Sequence, residues 1–513
     1  MSTTATRQEP AAKGRAGRGV WESQHDEHDY VISQVEGKLP QGLRGTLYRN
    51  GSGKFESGGQ PLGHLFDGDG LLSMFVLDKE RVRFRSRYVQ TNHYRAGLEG
   101  RGIPGRLIGS NRHGGWLANA FRMPANVANT NVVLHHGQLF ALYELCRPYR
   151  LDPDTLETLG EHDFGGRLRR MGAFSAHPKI DPASGELFNF GIELAPRPTV
   201  RCYRVERSGQ LHKVRDVHVP DVVANHDFAL TERHMVFALD PVVIDLPRAL
   251  RFLLLGQRLA DAVSWRPERG TTIVLVPRDG TKPRVIQTDA FFHFHVNNAY
   301  EDGSDTVVDL VRFSHGWDRL LPHFDSFRTT DGEGIASFLT RLRITPTGRV
   351  ERQDVYDLTS EFPQHDWRRT TREHRYSYLA SAREGHWLSS LNTITKIDHR
   401  TGLIRLHALP DEHTVGEPIF VPRSNDAAED DGWLLAVAYD PAEHRSRLLV
   451  LDAADLERDP LFVAHLDHHI PLGFHGGFTR RIAKPDDATT QTSARAATTS
   501  RPADSRSSGF GGS

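Results

Sequence analysis

Short runs of apolar, β-branched and aromatic residues, each closed by a tight turn, recur along most of this chain. "LLSMFVLDKERVRFRSRYV", "VVLHHGQLFALYEL", "VRCYRVERSGQLHKV", "TIVLVPRDGTKPRVI", "FLTRLRITPTGRVERQDV" and "TITKIDHRTGLIRLHAL" each read as two strands joined at a Gly, Asp or Asn turn. Long amphipathic helices are scarce. The clearest helical candidate is "DPVVIDLPRALRFLLLGQRLADAVSW", Asp240 to Trp265, the most apolar part of the sequence. Hairpins at this spacing over most of 513 residues predict an all-β fold too large for one sandwich. A β-propeller meets the size, because its four-stranded blades repeat about an axis and leave few exposed edges. No blade-to-blade repeat stands out, so the pattern alone does not number the blades.

Composition narrows the chemistry. The formal net charge is -1, which offers no electrostatic footprint for nucleic acid. Two cysteines, Cys146 and Cys202, exclude a disulfide framework and a multi-thiolate metal site, so any metal must sit on His, Asp or Glu. The N-terminal "MSTTATRQEPAAKGRAGRG" has basic residues but no apolar core of a secretory signal, and a cytoplasmic location is the expectation. Residues 1–20 and 482–513 are expected to be disordered tails, since both are poor in large apolar groups. Nothing resembling a linker interrupts 21–481, which predicts a single domain with cap insertions that include 240–265.

The chain holds 28 histidines, and many must be incidental. In "FFHFHVNNAYEDG" an ideal strand would put His293 and His295 on one face and Phe292 and Phe294 on the other. His177 precedes a Pro and a turn, His226 stands directly ahead of a strand, and His475 lies in "GFHGG", whose glycines let backbones approach closely. His177, His226, His295 and His475 are separated by 49, 69 and 180 residues, intervals that match no local metal motif. They suit a propeller, in which each blade can send one inner side chain to the axis. Spacing does not choose between His293 and His295.

An ordered set of motifs makes that choice. "HLFDGDGLL", "LDPDTLETLG", "SAHPKIDPASGELFNFG", "NHDFALTE", "FHVNNAYEDG", "EPIFVPR" and "PLGFHGGF" run from about residue 44 to 479 and resemble, in order, those of the carotenoid cleavage oxygenases. The resemblance implies a seven-bladed β-propeller with a helical and loop cap over one face, and a non-haem Fe(II) held on the axis by His177, His226, His295 and His475. The family's H-x-x-N-A pattern falls on His295 to Ala299 and selects His295 over His293. His465, His468 and His469 fail the same test, because their motif centres on "GFHG". By the same resemblance Glu144 anchors His226, Glu361 anchors His295 and Glu417 anchors His475, each through the ring nitrogen that faces away from the metal. Four imidazoles on a six-coordinate ion leave positions for O2 and substrate.

The implied reaction adds O2 across one conjugated double bond of a carotenoid or apocarotenoid and releases two carbonyl products, with no side chain as nucleophile. Alternatives within the family are stilbene or phenylpropanoid cleavage and the non-oxidative retinyl ester isomerohydrolase; outside catalysis stands a carotenoid-binding propeller. The stilbene branch typically carries Lys immediately before the first anchoring Glu. Tyr143 occupies that place here and favours an apolar polyene, as does "LVPRDG". The 240–265 segment is too short in its apolar runs to span a bilayer. It is expected either to touch the inner membrane surface peripherally or to pack within the cap.

Overall fold

The computed structural model describes residues 19–485, apart from 123, 171, 194–196, 245, 326, 328–333 and 384–390. Seven antiparallel sheets of four to six strands follow one another along the chain and form the blades of a β-propeller. The second blade runs from Asn131–His135 to Thr158–Glu161 and the third from Lys179–Ile180 to Leu211–His218. The fourth opens with Ala229–Leu230, the fifth with Phe292–Asp302 and the sixth with Ser360–Gln364.

Both ends of the folded chain close the ring. The seventh blade takes an early strand, Val35–Gly37, as its outer edge against Phe462–His465. The first blade, built on Gly45–Lys54, takes the last strand, His475–Thr479, as its inner edge, with Asn50 opposite His475.

Burial explains why the strand signal is strong in some runs and weak in others. Blades pack face to face, so inner and middle strands lose water on both sides: in Asp305–Phe313 ("DTVVDLVRF") seven of nine residues are buried. The outer strand of the same blade, Val350–Asp354 ("VERQD"), has four exposed residues in five. The core is accordingly divided between neighbouring blades. Phe188, Phe190, Phe228 and Phe237 fill the space between the third and fourth, and Phe362, Tyr378, Phe420 and Leu434 that between the sixth and seventh.

The segment expected to be helical gives two helices, Leu246–Leu255 and Leu259–Ala262, separated at Gly256, whose φ of +62° suits glycine. With Gly115–Asn119 and Trp317–Asp325 they form part of the cap. No helix among the described residues is long and apolar enough to cross a membrane. The expected tail boundaries need correction. Val20 is wholly buried beside Trp21, while Ile482 and Ala483 pack against the first two blades, because their apolar side chains complete those clusters. Residues 1–18 and 486–513 of the expected tails lie outside the described residues.

Candidate metal centre

Each of the seven blades sends one residue to the axis. His475 opens the inner strand of the first, and Glu144 follows the Gln138–Leu142 strand of the second. His177 precedes the inner strand of the third and His226 that of the fourth. His295 lies within the inner strand of the fifth, Glu361 within that of the sixth, and Glu417 just ahead of Ile419–Pro422 in the seventh. Gly476 follows His475 for a steric reason: a Cβ there would stand 2.1 Å from the carbonyl oxygen of Tyr48 on the neighbouring strand. Gly477 has no such neighbour, so only the first of the two glycines is required by close approach.

The four imidazoles meet by their Nε2 atoms. His177 and His226 are 2.9 Å apart there, His226 and His295 3.2 Å, and His475 and His295 3.1 Å. The ligand atoms of all four lie within 4.8 Å of one another. Metal–nitrogen bonds of ~2.1 Å at right angles give an N···N edge of about 3.0 Å, so these separations suit cis ligands on a six-coordinate ion. The Nδ1 sides are turned to carboxylates. His295 Nδ1 pairs with Glu361, His475 Nδ1 lies 3.0 Å from Glu417 Oε1, and His226 Nδ1 lies 3.1 Å from Glu144 Oε1. His177 has no such anchor: its Nδ1 stands 3.9 Å from Asp227.

Electrostatics keep Glu417 charged and two of the rings, His177 and His475, neutral. Burial would raise the Glu417 carboxyl, but His475 and Arg49 hold it down at about 2. Glu417 also accepts from Gln364 Nε2 at 2.8 Å and from the Gly476 N–H at 3.0 Å. Burial lowers His475 to about 4 against the pull of Glu417, and burial with the three neighbouring rings takes His177 well below its usual value. For His226 burial acts downward too, yet Glu144 outweighs it and the net direction is up. Neutral imidazole is the form a metal binds.

Two residues of this site were not visible in the sequence pattern. Arg49, in an ordinary strand, forms a buried ion pair with Glu417. Asp227, directly after His226, takes Lys179 at 2.9 Å and the Val296 N–H at 2.8 Å, and so ties the fourth blade to the strand carrying His295. The acidic neighbour in "NHDF" was the only available signal.

His293 and His295 do not behave as alternate residues of an ideal strand. Opposite Asp305–Phe313, the pairing steps from His293–Arg312 to Val296–Leu310 and then to Asn298–Asp309. Each step carries one extra residue on the histidine strand, and such bulges re-aim side chains. His293 turns to Asp240 of the preceding blade, Nδ1 to Oδ2 2.7 Å, whereas His295 reaches Glu361 of the following one. His465, His468 and His469 stay away from the axis: His465 bonds Glu36, His468 stacks on His28, and His469 contacts the Glu22 carbonyl.

An apolar cavity opens on the imidazoles. Phe66, Phe294, Phe324, Phe362, Phe474 and Ile108 form much of its wall, with Tyr143 beside Glu144. A second histidine–carboxylate group, Asp309, His374 and His399, was not foreseen; it lies within the fifth and sixth blades.

Fold and site together define a propeller with four facing imidazoles on its axis, three of them backed by glutamates. The family described as retinal pigment epithelial membrane protein matches residues 21–480. Apocarotenoid-15,15'-oxygenase of Synechocystis sp. is 35% identical over 90% of this chain and 95% of its own length. Resveratrol cleavage oxygenase 1 of Aspergillus fumigatus is 32% identical over 87% and 92%. A solved structure of cobalt-substituted Synechocystis apocarotenoid oxygenase superposes with a TM-score of 0.83 at 34% identity, covering 91% of this chain and 98% of the other. The chain belongs to the RPE65/carotenoid oxygenase family.

Proposed function

We propose that this chain is an Fe(II)-dependent dioxygenase that cleaves one conjugated C=C bond of an apocarotenoid or carotenoid with O2 and yields two carbonyl products. The observation that carries this reading is the convergence of four Nε2 atoms, three of them on rings that line an aromatic, apolar cavity. Imidazole nitrogen suits ferrous iron, and His177, His226, His295 and His475 would hold it. Bound there, the ion supplies open coordination positions at which O2 is activated. Glu144, Glu361 and Glu417 keep three rings oriented through Nδ1. The phenylalanines exclude water and align an extended hydrocarbon. Burial, with the carboxylates of Asp67 and Glu144 nearby, pushes the Tyr143 phenol well up, so that side chain remains uncharged.

A polyene dissolves in lipid, and an apolar surface patch on the cap offers it a route. Trp116, Leu117 and Phe121 are 57%, 75% and 70% exposed, and Leu250, Leu254 and Leu255 stand exposed on the helix beside them. The Phe121 N–H bonds the Leu253 carbonyl at 2.8 Å, which joins the two helices into one surface. We read this surface as a peripheral contact with the inner face of a membrane, broader than the 240–265 segment alone. Co-sedimentation with lipid vesicles, lost in Leu117→Glu and Leu254→Glu, tests it.

The enzymatic test is reconstitution with Fe(II) and incubation with 8'-apo-β-carotenal. Loss of the polyene absorbance with two shorter carbonyl products by mass supports the reading. Iron bound with the polyene untouched, but a 4-hydroxystilbene cleaved, would transfer the substrate assignment to phenolic compounds.

A further inference from the structure

The bulged strand that carries His295 is held by a hydrogen-bond network on its far side. Asn297 and Asn298, the two residues after Val296, are both buried and both reach into the sixth blade. Asn298 Nδ2 lies 3.2 Å from His374 Nδ1, and it also meets the carbonyls of Arg372 at 2.9 Å and Arg369 at 3.1 Å. Its Oδ1 accepts the Thr371 N–H at 3.2 Å. Asn297 Nδ2 donates to Ser377 Oγ at 2.6 Å.

His374 presents Nδ1 to the Asn298 amide, while its Nε2 faces Asn297 Nδ2 at 3.1 Å, Ser377 Oγ at 3.1 Å and Asp309 Oδ2 at 3.5 Å. Ser377 Oγ also lies 2.7 Å from His399 Nε2. Arg341 takes both oxygens of Asp309, at 2.8 and 2.7 Å, and neutralises that carboxylate. The group that contains His374 is therefore a hydrogen-bonded network, and what it grips is the segment immediately after His295. Two bulges interrupt the strand's ladder, one on either side of Val296, so pairing with its neighbour does not by itself set its course there.

We propose that His374, acting through Asn298 and Ser377, is a positioning residue for the metal centre: it fixes the bulge so that His295 Nε2 meets the other three imidazoles. This rests on the functional reading above. It assigns to the sixth blade a second contribution besides Glu361.

The experiment compares three variants of the full-length protein loaded with Fe(II). Ser377→Ala removes the hydroxyl that links Asn297, His374 and His399 while adding little strain. His374→Gln keeps an acceptor and a donor in roughly the same places. Thr340→Val serves as control, since Thr340 is also buried in the fifth blade but bonds outward to Asp354 at 2.6 Å. The readouts are the rate of iron loss to a ferrous chelator, the thermal midpoint of the metal-free protein, and kcat against KM. Ser377→Ala is expected to lose iron about tenfold faster than wild type and to fall in kcat with KM held. His374→Gln should recover most of that loss, and Thr340→Val should lower the thermal midpoint without changing iron retention. Equal iron retention in Ser377→Ala and wild type overturns the proposal, as does equal iron loss in Ser377→Ala and Thr340→Val. A wild-type protein that takes up no ferrous ion overturns the functional reading itself, and this role with it.

Discussion

Two buried groups of histidine and carboxylate share the fifth and sixth blades, and they are built from the same residue types to opposite effect. Around the axis three carboxylates occupy the Nδ1 sides of three rings, so the Nε2 lone pairs turn toward one another, acceptor facing acceptor at about 3 Å. In the Asp309–His374–His399 group the ligand atoms already have other partners: His374 Nδ1 meets an asparagine amide, Ser377 Oγ meets Asn297, and Asp309 meets Arg341. The first arrangement gathers imidazole nitrogens as a cation would need them; in the second an arginine already neutralises the carboxylate. A count of nearby histidines does not distinguish them. The partners each ring and carboxylate already has do.

The largest effect should come from breaking the axial group directly. His295→Ala should abolish both iron binding and turnover, while His293→Ala, whose ring serves Asp240, should keep iron at wild-type stoichiometry; metal analysis of the two purified variants decides between them. Next in size, Glu361→Gln and Glu417→Gln preserve shape but remove the negative charge behind a ring. Each should weaken metal affinity about 10- to 100-fold, measured by competition with a chelator.

The second group should respond to pH. Burial, with His365, His399 and Arg341 nearby, takes His374 well below the usual 6.5, so the folded protein resists a proton that the unfolded chain accepts. Its folded pKa is lowered, and stability is thus highest above pH 6.5 and declines as pH falls below it. The decline is about 1.4 kcal/mol per pH unit for one such histidine. In metal-free protein, His374→Gln should show a shallower decline in denaturant titrations over that range. The smallest signal is a null effect: titration with Co(II) should saturate at one ion per chain, since Arg341 already holds both oxygens of Asp309.

The all-β class was legible because most blade strands are two-sided and apolar, and turns separate them at short intervals. Blade number was not, since the blades share an architecture without sharing a sequence, and seven came from the family motifs. The four ligand positions came from those motifs as well: intervals of 49, 69 and 180 residues carry no local geometry. Alternation along "FHFHV" wrongly placed His293 beside His295, because a bulge is set by the partner strand and leaves no mark in the residues themselves. Arg49, Asp309 and His374 were invisible for a related reason. Each is a polar residue in or beside an ordinary strand, and its significance lies wholly in what a distant blade brings against it. The cap helix Gly115–Asn119 was missed because five residues are too few to show a period.

The strand His475–Thr479 has a consequence for how the protein is made. A ribosome delivers the chain from its N-terminus, and the first blade lacks its inner edge until residues 475–479 have emerged. His475 is therefore the last of the four imidazoles to be synthesised, and it arrives on the very strand that locks the ring. Assembly of the four-imidazole set and closure of the ring thus both wait for residue 475, and a nascent chain halted before it would carry three imidazoles on an open arc of blades. Such a product should be protease-sensitive and metal-poor together.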